Sequence, residues 1–296
     1  MNITNFINYL VTEKRNSEHT VLAYQSDLEQ FGIYLSEVYE IHDAQEVTFP
    51  IVRSYVVDLM EKDYHPKSVN RKISSIKSFY KYLRKIGEVK INPALRLQAV
   101  KGPKRLVKTV SDAEMSELLS EELFSEDLKG VRAKAIIELL YATGIRRSEL
   151  ISLKYNDVDF ENCTIKVLGK RNKTRIIPFP ESLSKVLLKY LELQPRTDPK
   201  SLTFFLTEKG KMMYPKLVYD VVNSYLGLVS TIDKKSPHIL RHTYATHLLN
   251  KGANVNDIKE LLGHASLSAT QVYTHNSFEK LKKEYNQTHP REYKNR

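Results

Sequence analysis

Tyr273 stands nine residues after His264 in GHASLSATQVYTH (263–275), one of eighteen tyrosines in a chain without tryptophan. A phenol ionises only near pH ~10, so a tyrosine becomes a usable nucleophile when basic or cationic groups lie against it. In one continuous helix of ~3.6 residues per turn, that spacing would put the two side chains on opposite faces. They can share a site only if the chain breaks between them. Gly263, Ser266 and Ser268 are the residues suited to do so, with Ser266 or Ser268 capping a fresh helix that carries Tyr273. Alone, the stretch leaves open whether Tyr273 is reactive or an ordinary aromatic.

Three upstream segments offer groups that would bind an anion. In SPHILRHTYATHLL (236–249), Ser236 is placed to cap a helix and Pro237 to occupy its first position, which puts His238 in the opening turn. Arg241, three residues on, shares that face. With the helix N–H groups and dipole, the pair suits a phosphate, and the dipole favours a neutral His238 able to take a proton. A capped, solvent-facing helix end is the alternative. His238, His242 and His247 do not read as a metal set, because no zinc-hydrolase Glu and no Cys or Asp partner accompany them. In YATGIRRSELISL (141–153), Gly144 ends one helix and SEL opens another, so Arg146 lies in a tight joint. It is there either as an ion-pair partner, with Glu149 the candidate, or as a preorganised anion ligand. In VLGKRNKTRIIP, Lys170 sits on a hairpin tip, where it is solvated or reaches into a bound strand.

The elements that must position these groups follow from periodicity and capping. Val21, Tyr24, Leu28, Phe31 and Leu35 recur at helical spacing behind Ser17, and TFPIVRSYVVDLM opens a helix with a Thr48 cap and Pro50 in its first turn. Val69, Ile73, Ile76, Tyr80 and Leu83 form a stripe that stops at Gly87, with Lys67, Arg71, Ser75 and Ser78 falling away from it, toward solvent or toward phosphates and bases. Residues 99–111, with Lys101, Lys104 and Arg105, read as a basic linker able to follow a phosphate backbone. A capping box at SDAE (111–114) opens the next helix, and RAKAIIELLYATG is an apolar helix ended by Gly144. CTIKVLGKRNKTRIIPF reads as a β-hairpin and LTFFLTEKGK as a further short strand, the remainder being helical. The fold class is thus mainly α in two domains, all-α at the N-terminus and α+β with a small antiparallel sheet at the C-terminus. The boundaries are 1–100, a linker at 101–110, and 111–296.

Composition narrows the partner. The net charge is +11 overall, but residues 1–100 hold 13 basic and 12 acidic residues, which leaves a net of +10 on the remainder. That asymmetry points the C-terminal two-thirds at a polyanion, nucleic acid above all. A hydrophobic fraction of 41% supports ordinary cores, and no apolar run approaches the ~20 residues of a membrane span. The N-terminus lacks the basic start and cleavage site of a signal peptide, and a single cysteine forms no internal disulfide. A cytoplasmic location is expected, with Cys163 a buried structural thiol on a strand.

The order Arg146, Lys170, His238-x-x-Arg241, His264, Tyr273 resembles that of the tyrosine recombinase (phage integrase) family, and the wording is most similar to its Xer group. TGIRRSEL, HILRHTYATHLL and LLGHASLSATQVYTH carry the likeness, and it extends over nearly the whole chain. Arg147 departs from the family's small aliphatic residue, Arg171 from the usual hairpin glycine, leaving Asn172 to take the left-handed turn position, and Ala269 from a threonine. The resemblance implies an N-terminal core-binding domain and a C-terminal catalytic domain that clamp a double-stranded DNA recombination site. It implies a Tyr273 nucleophile forming a 3′-phosphotyrosyl link, with Arg146 and Arg241 on the phosphate oxygens and Lys170 protonating the leaving 5′-oxygen. His238 would serve as general base or acid toward Tyr273, and His264 would bind the phosphate or orient its neighbours. It further implies no cofactor, no metal and no ATP. Assembly would be a homo- or hetero-tetramer with a second Xer-type recombinase, joined through a terminal helix near 277–288. A DNA translocase is implied as activator, and chromosome or plasmid dimer resolution as the duty, with integration or excision of a mobile element next. Without the early arm-binding domain of many phage integrases, the chain reads as the shorter type. A DNA-binding architectural protein without chemistry is the alternative from another class.

Overall fold

The computed structural model describes residues 3–102, 108–169, 174–195 and 202–263. The chain divides into two compact units, Met1–Leu106 and Val107–Arg296. Lys104, Arg105, Lys170, Arg171, Asn172, His264, Ser266, Ser268, Ala269, Tyr273 and the helix expected near 277–288 lie outside the described residues.

The first unit is built from α1 (Thr4–Thr12), α2 (Glu18–Tyr39), α3 (Phe49–Glu61) and α4 (Pro66–Lys85). Ser17 caps α2, its side chain accepting from the Thr20 backbone N–H, whereas Thr48 occupies the cap position of α3 without a side-chain bond. The α4 stripe of Val69, Ile73, Ile76, Tyr80 and Leu83 is buried against Phe6, Leu28, Phe31 and Tyr55. Its opposite face leaves Lys67, Arg71, Ser74 and Lys81 exposed.

Ser75 does not belong to that outward face. It is fully buried and donates to Asp27 of α2, a carboxylate that is itself 0% exposed. Asp27 also accepts from Lys72 Nζ (3.1 Å) and from Arg71 Nη1 (2.7 Å), and Arg71 donates in addition to Ala23 O. An ionised carboxylate leaves water only when its oxygens are matched by cationic and hydroxyl donors, and here one turn of α4 supplies three of them. Arg71 is therefore anchored from beneath while roughly half of its side chain stays exposed. Asn70 exchanges two hydrogen bonds with the Val100 backbone, which pins the segment leading to exposed Lys101 onto α4.

The second unit contains α5 (Asp112–Leu118), α6 (Leu128–Thr143), α7 (Arg147–Ser152), α8 (Glu181–Leu193), α9 (Pro215–Val229), α10 (Pro237–Asn250) and α11 (Val255–Leu262). The capping box at Ser111 and Glu114 forms as the spacing predicts. The central helix α6 is buried from Gly130 to Thr143 and packs against α8, α9 and α10, its buried charges being paired, Arg132 with Glu208 and Lys134 with Glu121 and Glu138. Strands β1 (Val158–Asp159), β2 (Thr164–Leu168) and β3 (Thr174–Pro178) form one antiparallel sheet in that order, with Ile165 opposite Ile177 and Val167 opposite Arg175.

Two expectations require correction. LTFFLTEKGK forms only single bridges, Lys154 to Thr203 and Leu206 to Met212, because side chains take backbone groups that a ladder would use: Leu206 N–H donates to Tyr190 Oη and Phe204 O accepts from Gln194 Nε2. Cys163 precedes β2 in a left-handed turn (φ 51°) and is only half-buried, its thiol near Phe160 O and Ser184 Oγ. The segment entering this unit is pinned at Val110, whose N–H donates to Thr243 Oγ1 and whose carbonyl accepts from His247 Nε2. Among the described residues no helix is long and apolar enough to cross a membrane.

Replacing Asp27 by Ala strands a buried Lys72 that is 2% exposed. The first unit should lose about 3–5 kcal/mol, the cost of breaking a buried ion pair on one side. Urea unfolding of the full chain measures this, and a loss below ~1 kcal/mol would mean that the cluster is solvated.

Candidate anion-binding site

The site grows out of the joint between α6 and α7. Gly144 caps α6 in the left-handed conformation (φ 59°), and a Cβ there would lie 2.4 Å from Tyr244 Cδ1 and 2.9 Å from Leu262 Cδ2. Only glycine satisfies both the backbone angle and the close approach of α10 and α11. Two residues later, Arg146 takes the cap position of α7, and its backbone N–H donates to Glu149 Oε2 at 2.8 Å. The same carboxylate accepts from Arg146 Nη1 (2.8 Å), Arg175 Nη1 (2.9 Å) and Arg175 Nη2 (2.8 Å). Of the two readings of Arg146, the ion pair with Glu149 is thus present, yet it occupies one edge of the guanidinium and leaves the side chain 24% exposed.

From α10, Arg241 reaches the same joint, donating from Nη1 to Gly144 O and from Nη2 to Leu262 O, the latter at 2.6 Å. Arg146 Nη2 donates to Gly263 O (3.1 Å) and Arg175 Nε to Leu261 O (2.8 Å). Three arginines from three elements therefore take three consecutive carbonyls at the end of α11, where the helix dipole is negative. Gly263 is itself left-handed (φ 64°) and ends α11 before His264, while the break expected between His264 and Tyr273 lies outside the described residues. The α10 row of Leu240, Tyr244 and Leu248 is buried and holds that helix in the core. Ser236 occupies the cap position of α10 without a side-chain bond, and His238, three residues before Arg241, is exposed on that helix.

Charge follows from this geometry. Three guanidinium groups against one carboxylate leave an excess of two positive charges in a largely enclosed cluster. Burial, and then the neighbouring charge of Arg146, pulls the Arg241 guanidinium down to about 10, so it stays protonated at neutral pH but in surroundings that disfavour the cation. An anion placed against Arg146 and Arg241 relieves that disfavour. Burial pushes the Glu149 carboxyl up, but the hydrogen bonds from Arg175 and Arg146 outweigh it and hold the group below the usual carboxylate range.

The structure brings Arg146 and Arg241 together and sets His238 on the Arg241 helix, while Lys67, Arg71 and Lys101 lie in the first unit. His247 is turned inward, its Nε2 donating to Val110 O and its Nδ1 facing both the Tyr141 hydroxyl and Asp112 Oδ1 (3.2 Å). Arg147 donates to Pro215 O and so joins α7 to α9. The residue that sequence reading passed over is Arg175. Its signal was available, since it shares the inward face of β3 with Ile177, where a charge demands a partner.

Residues 108–280 match the family model described as Phage integrase family, and residues 3–87 match that of Phage integrase, N-terminal SAM-like domain. The chain is 39% identical to Tyrosine recombinase XerC of Bacillus licheniformis, over 99% of this chain and 97% of that one. It is 35% identical to Tyrosine recombinase XerC of Bacillus subtilis, over 98% and 96% of the two chains. Its fold is similar to that of XerH site-specific recombinase bound to palindromic difH substrate in a post-cleavage complex, with TM-score 0.72, 20% identity, and 90% and 79% of the two chains covered. It is also similar to the Tn1549 transposon integrase in complex with circular intermediate DNA, with TM-score 0.70, 20% identity, and 95% and 99% covered.

Gly144→Ala should destabilise the second unit by at least about 1–2 kcal/mol, from the left-handed backbone alone, with the clash against Tyr244 added. Urea unfolding tests it, and an unchanged midpoint would contradict the close approach. Because the Glu149 pKa is depressed by folding, its stabilisation is complete above the unfolded value of about 4.3 and is lost as pH falls through the folded value. Glu149→Gln should accordingly remove part of the acid-induced loss of stability below about pH 4.3. Identical acid dependence in both proteins would refute the depression.

Proposed function

This chain belongs to the phage integrase family of tyrosine recombinases, and we propose that its cationic joint holds the scissile phosphate of a DNA recombination site for attack by Tyr273. The observation that carries the proposal is the excess positive charge at Arg146 and Arg241, held by backbone and carboxylate partners that leave Arg146 partly open.

The chemistry is transesterification. Tyr273 Oη bonds to phosphorus as the bond to the 5′-oxygen breaks, giving a 3′-phosphotyrosyl link and a free 5′-hydroxyl. Arg146 and Arg241 hold the non-bridging oxygens and offset the charge that grows in the transition state, a task that falls to a metal ion in many phosphoryl-transfer enzymes. Lys170 supplies the proton to the leaving oxygen, His238 acts as base or acid toward Tyr273, and His264 hydrogen-bonds the phosphate or its ligands. Phenolate is a good leaving group, so attack by the 5′-hydroxyl of another strand reverses the step without ATP. The matched span of residues 108–280 contains all six of these residues, which supports the assignment.

The first unit, residues 1–100 with the basic segment 101–110, serves as the core-binding clamp. Lys67 and Arg71 of α4 face the duplex, and Lys101, Lys104 and Arg105 follow its backbone. Residues 111–296 form the catalytic domain. Four protomers assemble on two sites, alone or with a second Xer-type recombinase, and a DNA translocase activates them. The duty is resolution of chromosome or plasmid dimers in the cytoplasm, and identity of 35–39% to XerC recombinases over nearly the full length supports this over integration of a mobile element.

A DNA substrate nicked beside the cleavage point should trap a covalent adduct with the wild-type chain, insensitive to EDTA, and Tyr273→Phe should abolish the adduct while retaining salt-sensitive DNA binding. An adduct formed by the Phe variant would remove Tyr273 from its role. DNA binding without any wild-type adduct would favour an architectural protein.

A further inference from the structure

Arg175 is enclosed, at 6% side-chain exposure, and each of its three guanidinium nitrogens is engaged. Nε donates to Leu261 O, Nη1 to Glu149 Oε1 and Nη2 to Glu149 Oε2. Such a side chain has no surface to offer DNA. It nonetheless touches both supports of the phosphate-facing pair: Glu149, which grips Arg146, and Leu261, whose neighbour Leu262 accepts from Arg241. Gly263, which accepts from Arg146, lies close enough that a Cβ there would be 3.1 Å from Arg175 Nη1.

Resting on the recombinase reading, we propose that Arg175 is a positioning residue for strand cleavage, locking β3, α7 and the end of α11 into the one geometry in which Arg146 and Arg241 address the same phosphate. A purely stabilising role explains the pair poorly, because a buried ion pair adds little net stability over an apolar pair of equal volume. An apolar pair, however, would leave nothing to hold Arg146. Without Arg175, both Glu149 oxygens turn to Arg146 and draw its guanidinium off the substrate. Lysine is only a partial substitute, since a single ammonium keeps the charge but has neither the planar fork for the carboxylate nor the third direction toward Leu261. Misplacement of catalytic groups by ~1 Å costs about 10²-fold in rate, the scale expected here.

The full-length chain, assayed on the nicked DNA substrate, separates this from mere support of the fold. Glu149 is faced by Arg175 from β3, by Arg146 from the joint before α7 and by Arg241 from α10, and the Tyr244 hydroxyl on α10 lies within reach of the Arg241 and Arg175 charges. In Arg175→Gln the burial of Glu149 is opposed less, so the carboxyl protonates at higher pH, and activity that needs it ionised is lost as pH falls. Adduct formation should drop about 10²-fold with DNA affinity unchanged, and should show an acid limb displaced to higher pH than in the wild type. Adding Glu149→Gln should abolish that limb, and Arg175→Lys should restore part of the rate. A wild-type rate in Arg175→Gln, or a slow rate without the acid limb, overturns the role. If Arg175→Gln fails to fold, a wild-type rate in Arg175→Lys overturns it and a slowed rate at unchanged affinity supports it. A wild-type chain that forms no adduct overturns the recombinase reading and this role with it, whereas an adduct in the wild type with indifferent Arg175 variants overturns this role alone.

Discussion

Glu149 has almost no access to water, yet it remains ionised because four donors from Arg146 and Arg175 surround its two oxygens. The constraint works in both directions. The carboxylate cannot be buried without the arginines, and the arginines cannot be gathered so closely without a carboxylate between them. One anion among three cations is enough to hold the cluster together and too little to neutralise it. The residual positive charge is the feature on which the proposed phosphate binding rests.

The backbone completes what the carboxylate begins. A helix end leaves its last carbonyls without intrahelical partners, and burying them requires donors from elsewhere. At the end of α11 those donors are the three arginines, one per residue from Leu261 to Gly263. Each element that carries one of these arginines is thereby tied to the helix that leads to His264. Both glycines at this crossing, Gly144 and Gly263, are left-handed and pressed against side chains, so the site tolerates no bulk where its supports converge.

The N-terminal unit uses the same device at smaller scale. Asp27, wholly buried, anchors Arg71, Lys72 and Ser75 of α4, and so fixes the root of an arginine whose far end faces outward. Preorganising a long basic side chain in this way lowers the conformational entropy lost when it meets a polyanion. In both units a buried acid beneath exposed or half-exposed basic groups turns a mobile charge into a positioned one.

Much of this was legible from residue order. The stripe of α4, the capping box at Ser111, the glycine stop after α6, the hairpin and the break at Gly263 all follow from local rules of periodicity and capping that act over a few residues. Glu149 was recognisable as a partner for Arg146 because three residues on a helix bring them together. Ser75 was placed on the wrong face and Arg175 was passed over, since their partners Asp27 and Glu149 lie 48 and 26 residues away in the chain. Alternation on β3 marks Arg175 as inward-facing but is silent about which carboxylate meets it. The sequence by itself thus determined which side chains are available and the local elements that carry them. Only the tertiary structure decided which arginines share one carboxylate and which helix end absorbs their remaining donors, because those bonds depend on the packing of segments far apart in the chain.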